Sequence, residues 1–204
     1  MKPLKHLKTL KSLKALALIG TISAFTIACS DSSSESADMS SGISPQLFTD
    51  SLFAVMNADR TNYTQLIIAR LGPQGAAAIT PNEHWEDMEA GAPLPAQMFR
   101  FGSEKVADAT DAFSYQLKSQ WPINSQNGAR TPVEEAGLKY ISENIGENFY
   151  GEEELGGVTY YTAVYPDVAV SDACISCHNN HIDTPRTDFA LGDVMGGVVI
   201  RVPL

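Results

Sequence analysis

Residues 174 to 178 read Cys-Ile-Ser-Cys-His, a spacing that can do chemistry. Two thiols three positions apart can each reach one vinyl group of a single porphyrin. The residue after the second thiol then places an imidazole on the iron from the same face. C-x-x-C-H is the attachment motif of c-type haem, held through Cys174 and Cys177 with His178 as the proximal iron ligand. With Cys and His each near ~2% of residues, such a match arises by chance in about one chain in several hundred. Three other readings of these residues stay open. Cys174 and Cys177 can form a structural disulfide in an oxidising compartment. They can form a thioredoxin-like redox pair, although the βαβ context of such a pair is missing. Cys174, Cys177, His178 and His181 can together offer four zinc ligands, in crowded geometry because Cys177 and His178 are adjacent.

Haem attachment of this kind needs a compartment that the chain reaches unfolded, and the N-terminus supplies a route. Residues 1–28 contain no acid, and five lysines fall in the first 14 positions. The apolar run Ala15 to Ala28 is shorter than the ~20 residues needed to span a bilayer. A basic start, a short apolar run and small residues before a break describe a secretory signal peptide. Ala28-Cys29 resembles a bacterial lipobox, with Thr26 where Leu is usual. Cys29 is then the lipidated first residue of the mature chain, and residues 29–44, rich in Ser, form its flexible linker. Ser30 is not the Asp that commonly retains lipoproteins at the inner membrane. The expected location is therefore periplasmic, anchored by lipid to the outer membrane. Downstream of the leader, nine basic residues face 24 acidic ones. Nucleic acid is excluded as a partner, since phosphate binding rests on Lys and Arg. The same charge suits docking to a basic redox partner.

The folded domain is expected over residues 45–204. Ser44-Pro45 marks a helix start, N-cap then Pro at the first position. A helical stripe runs through Phe48, Leu52, Val55, Met56, Tyr63, Leu66, Ile67 and Leu71, ending at Gly72-Pro73. Residues 72–100 lose periodicity and read as a long ordered loop with short helical turns. Ser103 to Gln120 reads as a second helix bearing Val106, Thr110, Phe113 and Leu117, stopped by Trp121-Pro122. Thr131-Pro132-Val133-Glu134 opens a third helix with a capping box, carrying its stripe on to Ile145 and Phe149. Val158 to Tyr165 is a strand closed by Pro166-Asp167, with Phe149-Tyr150 as its hairpin partner, and Gly196 to Val202 is a last strand. The run Glu152-Glu153-Glu154 reads as a solvated hairpin face. Helices first and strands later imply an α+β fold with an antiparallel sheet.

Several of these stretches together resemble a known family. They are Tyr165-Pro166-Asp167, Cys174-x-x-Cys177-His178-Asn179-Asn180-His181, Pro185-Arg186-Thr187-Asp188-Phe189 and Gly192-Asp193-Val194-Met195-Gly196-Gly197-Val198, with weaker likeness at Trp121-Pro122-Ile123-Asn124 and Glu134 to Leu138. The resemblance is to the single-haem, PAS-like c-type domain long catalogued as a domain of unknown function. It implies N-terminal helices packed on an antiparallel PAS-like sheet with one covalent haem c. Such domains occur alone and as periplasmic inputs of signalling proteins. The expected role is single-electron transfer, since no segment reads as a signal output, or else a redox or gas sensor acting through a separate signalling partner; a peroxidase with His84 as its acid–base group is the third reading.

Some relatives carry a Cys on the N-terminal helix as the second axial ligand, and this helix has none. His84 and Met98 are the main candidates for the sixth iron position, with Met56, Met88 and Met195 behind them or no protein ligand at all. His181 is too near His178 in sequence to cross to the other face. Arg186 and Arg201 are candidates for pairing the haem propionates. Tyr160, Tyr161 and Phe189 are candidate walls. Asp193, after Gly192, shapes a turn before the last strand.

Overall fold

A computed structural model describes residues 42–71 and 79–204. The leader, Cys29 and most of the linker lie outside the described residues, as does Gly72-Pro73. Residues 41–204 form one unit. Among the described residues, no helix is long and apolar enough to cross a membrane.

Four strands form an antiparallel sheet in the order β3 (Ser114–Lys118), β6 (Val194–Pro203), β5 (Val158–Val168), β4 (Phe149–Leu155). Alternation along the central strands assigns residues to two faces. Val164 and Val199 pack with Leu138 and Ile141 of helix α4 (Pro132–Glu143). Ala163, Tyr165, Val198 and Ile200 point the other way. They meet Leu52, Phe53 and Met56 of helix α1 (Pro45–Asn62) and Phe99 of helix α3 (Pro95–Ala109). Helices on an antiparallel sheet are what the α+β reading expected. Contact on the α4 face is close. A Cβ added at Gly197 would lie 2.9 Å from side-chain carbons of Ile141, Leu138 and Val164, so only glycine lets the helix approach there.

The Ser44 hydroxyl caps α1 by accepting from Leu47 N, as read from the sequence. Beyond Asn62 the helix widens into a π-helical turn, Tyr63–Ile68, then a last short segment, α2 (Ala69–Leu71). Val55, Leu66 and Ile67 are exposed, so the buried stripe runs instead through Leu52, Met56, Arg60, Thr64 and Ile68. The irregular stretch before α3 contains a two-residue parallel pairing of β1 (Thr80–Pro81) with β2 (Gly91–Ala92).

Three expectations are corrected. The second helix does not run from Ser103 to Gln120. It starts at Pro95, where Gln97 Oε1 accepts from Leu94 N, and ends at Ala109. Ser114–Lys118 is an edge strand paired with β6. The spacing of Val106, Thr110, Phe113 and Leu117 imitates a helix, but Tyr115 and Leu117, both half-buried, pack on the same core cluster at period two. The strand opened by Val158 also does not close at Pro166-Asp167. It continues to Val168, and Pro166 pairs with Gly197 beyond Val164, the last residue that β4 engages. Proline is tolerated where one side of a strand needs no ladder bond. Finally, the acidic run is not wholly solvated. Glu152 and Glu154 are exposed, while Glu153 turns inward to Arg201 at 2.7 Å.

Candidate functional site

The motif sits on helix α5 (Asp172–Asn180). Ser171 caps it, its hydroxyl accepting from Ala173 N. On a helix, positions i, i+3 and i+4 share one side. Cys174, Cys177 and His178 therefore project together, and all three line a cavity of about 740 Å³. That volume lies within the range of cofactor sites. An apolar cluster backs the cavity: Ala169, Phe189 and Met195 are buried against Trp121, Cys174 and Ile175, and of these Trp121, Cys174 and Met195 line it. The His178 ring meets Phe189 edge to face at 6.0 Å, and Phe189 meets Trp121 the same way at 5.7 Å. Asn179 holds this wall in place. Its amide donates to Phe189 O and its carbonyl accepts from Phe189 N.

Burial sets the protonation of the motif. It pushes the thiols of Cys174 and Cys177 up, with Glu83 and Cys174 adding to the rise at Cys177. It pulls the His178 imidazole down, opposed by Asp167 and assisted by Arg60 and His181. His178 is thus neutral at physiological pH, the form that ligates metals. Its Nδ1 is buried with no hydrogen-bond partner. A buried polar atom left unpaired costs free energy, and such atoms mark functional positions. Neither thiol is bridged. Among the described residues, no three His, Cys, Asp or Glu side chains converge as metal ligands, so the four-ligand zinc arrangement does not form.

The other candidates are dispersed. His84 lines the same cavity from the irregular stretch, 76% exposed, with Nε2 3.5 Å from Glu83 Oε1. His181 lines it too, and its Nε2 lies 3.4 Å from Glu83 Oε2. Met98 is not in this cavity. It lines a smaller one of about 360 Å³ beside Met56, Tyr63 and Tyr115. Met88 is exposed, and Met195 lines the large cavity from β6. None of Tyr160, Tyr161 and Phe189 lines the cavity. Tyr161 packs with Tyr150 in the cluster under α1, its phenol pushed up to about 12 by burial first and then by Tyr150 and Asp50, and Phe189 lies in the apolar cluster behind the cavity. Asp193 does shape the turn, its carboxylate accepting from Ala190 N after Gly192 at φ +90°.

Both arginines expected at the propionates are already engaged. Arg201 lies between Glu134 at 2.8 Å and Glu153 at 2.7 Å. Arg186 pairs with Asp188 and Asp193 and covers the rings of Trp121 and Phe189, outside the cavity lining. The physical reason is charge neutralisation by acids that tertiary contacts bring close. The cations that do line the cavity are Arg60, Arg100, Lys118 and Arg130, four of the nine in the domain. Arg60 is not among the residues singled out in the sequence, and its place on the buried stripe of α1 is a structural finding. It makes a two-pronged pair with Asp167 at 2.9 and 2.8 Å, which outweighs burial in keeping it charged, and its Nη1 is buried without a partner.

These features can be set beside known proteins. No curated protein matches the sequence. One similar solved structure is that of the cyanobacterial heme-protein Tll0287, at TM-score 0.50 and 14% identity, covering 79% of this chain and 97% of that one. The likeness is one of fold. The sequence model of the Tll0287-like family matches residues 45–203, which span every described element from α1 to β6 and include the motif helix. By that match, the chain belongs to the Tll0287-like family.

Proposed function

We propose that this chain binds one haem c covalently through Cys174 and Cys177, with His178 on the iron, and that its role is single-electron transfer. The observation that carries this is the shared side of α5, which presents two thiols and a neutral imidazole into one cavity. Family membership and a structural neighbour described as a heme-protein support it. Bound there, the group supplies a one-electron ferric/ferrous couple. The chain contributes the rest. Trp121 and Met195 give the cavity an apolar lining, backed by Phe189, which Asn179 fixes in place. We read the sheet with its covering helices as PAS-like on the same grounds.

His84 is our choice for the sixth position, because it lines the cavity and Met98 does not. A visible and EPR spectrum, with and without CO, tests this. Wild type should be low-spin in both oxidation states and bind CO poorly, His84→Ala should turn high-spin, and Met98→Ala should change nothing. The high exposure of His84 favours a second reading, an open site serving a redox or gas sensor that reports to a partner. Ready CO binding by wild type would establish that reading over electron transfer.

The N-terminal residues extend the proposal. We place the mature chain in the periplasm, anchored to the outer membrane through acylated Cys29 and docking a basic redox partner by its acidity. Cys29→Ser should move the protein from the membrane to the soluble fraction. A wild type that fractionates as soluble with another N-terminus would refute the anchor.

A further inference from the structure

Among the described residues, four cations line the large cavity, and they divide into two kinds. Arg60 is neutralised by Asp167 and Arg100 faces Glu104 at 3.6 Å. Lys118 and Arg130 have no carboxylate at ion-pair distance among the described residues. They converge on one oxygen instead. Lys118 Nζ donates to Gln126 O at 3.4 Å and Arg130 Nη2 donates to the same atom at 3.2 Å. Lys118 is 3% exposed, and this single long bond is what its ammonium has in return for burial. A usual N–H···O distance is 2.7–3.2 Å. Nearby Glu134 offsets the burial of Lys118 only in part. Its Oε1 accepts from Arg201 and its Oε2 accepts from the backbone N–H of Arg130. Two like charges held on one neutral carbonyl, one of them buried, repel each other, and burying a charge without a counter-ion is costly. An anion between them removes both penalties.

We propose that Lys118 and Arg130 form a carboxylate-binding site in the cavity wall, and that the carboxylate it takes is a propionate of the haem. The assignment of the source rests on the haem reading above, whereas the site itself does not. It replaces Arg186 and Arg201, which their own acids already satisfy. A lysine supplies a point charge and an arginine a planar fork, and both suit a carboxylate.

The test uses the full chain made without attached haem, as the Cys174→Ala, Cys177→Ala variant. Mesohaem, which has both propionates and no vinyl groups, is titrated against its dimethyl ester. The expected result is about tenfold tighter binding of the free acid, the size of one charge-assisted hydrogen bond. That preference should vanish when Lys118→Met is added, a change that keeps the apolar stem, and fall when the exposed Arg130→Gln is added. Circular dichroism of each variant checks the fold. A parallel arm follows thermal unfolding of the same chain in sodium succinate against sodium chloride at equal ionic strength. If succinate stabilises the parent but not the Lys118→Met form, while the mesohaem preference is unaffected or mesohaem does not bind, the site is real and takes a free carboxylate. If neither probe responds to Lys118→Met or Arg130→Gln, the site is refuted. Haem staining of the exported wild type judges covalent attachment separately.

Discussion

Replacing Cys174 and Cys177 together by alanine is expected to abolish covalent haem, from one per chain to none. Intact mass and haem staining after denaturing electrophoresis measure this directly. Either single substitution should leave one thioether and a reduced yield that still resists acid–acetone extraction. His178→Ala should keep the stain, because both thiols remain, but lose the low-spin spectrum. The pattern separates the readings of this motif. A structural disulfide predicts no mass beyond the chain and a two-dalton change on reduction. A redox pair predicts the same, together with reactivity in the thiolate form. Burial argues against the latter by raising both thiols, since reactive cysteines sit where their pKa is lowered. Wild-type protein from the exported fraction with no added haem mass would sink the haem assignment.

The second large effect lies on the α4 face, away from the motif. Arg201→Met should destabilise the fold by about 3–5 kcal/mol, because it strands two buried carboxylates. The side chains of Arg201, Glu134 and Glu153 are 9%, 2% and 6% exposed. Replacing all three by apolar residues of similar volume should recover most of the loss. Urea unfolding of the single and triple variants measures both. Burial pushes the Glu153 carboxyl up, but hydrogen bonds from Thr131, Thr162 and Arg201 and the charge of Arg201 outweigh it and hold it below its ordinary value. A lowered folded pKa stabilises above the unfolded value of about 4.3, and the contribution is lost as pH falls through the folded one. The penalty of Arg201→Met should therefore shrink in acid, as the stranded Glu153 carboxyl becomes neutral. A penalty constant from pH 7 to pH 3 would show that lost packing, and not charge, dominates.

Local signals were legible wherever the deciding contacts are close in sequence. The Ser44 cap with Pro45, the Thr131 cap with Pro132, the hairpin of β4 with β5 and the last strand all follow from neighbours a few residues apart. Even there, half of one motif went elsewhere. Thr131 accepts from Glu134 N as a capping box requires, but the Glu134 carboxylate is taken by Arg201 and by the N–H of Arg130. The stretch from Val106 to Leu117 was misread because a four-residue spacing fits a helix, while pairing with β6 rewards period two.

By itself, the sequence determined the chemistry of the motif, since two thiols and an imidazole at i, i+3 and i+4 share a side of any helix they occupy. It also determined the acid excess and the helix and strand types of the strongest segments. Only the tertiary structure decided which charges face the cavity. Arg60 meets Asp167 across 107 positions, Arg201 meets Glu134 across 67, and Met98 turns into a different cavity from His84. Charge on a residue type is a local property, but its neutralisation depends on which acid the sheet and helices bring within reach. That is why Arg186 and Arg201 looked available in the sequence and are occupied in the fold, while Lys118, on an edge strand read as helix, and Arg130 line the cavity with no carboxylate at ion-pair distance among the described residues.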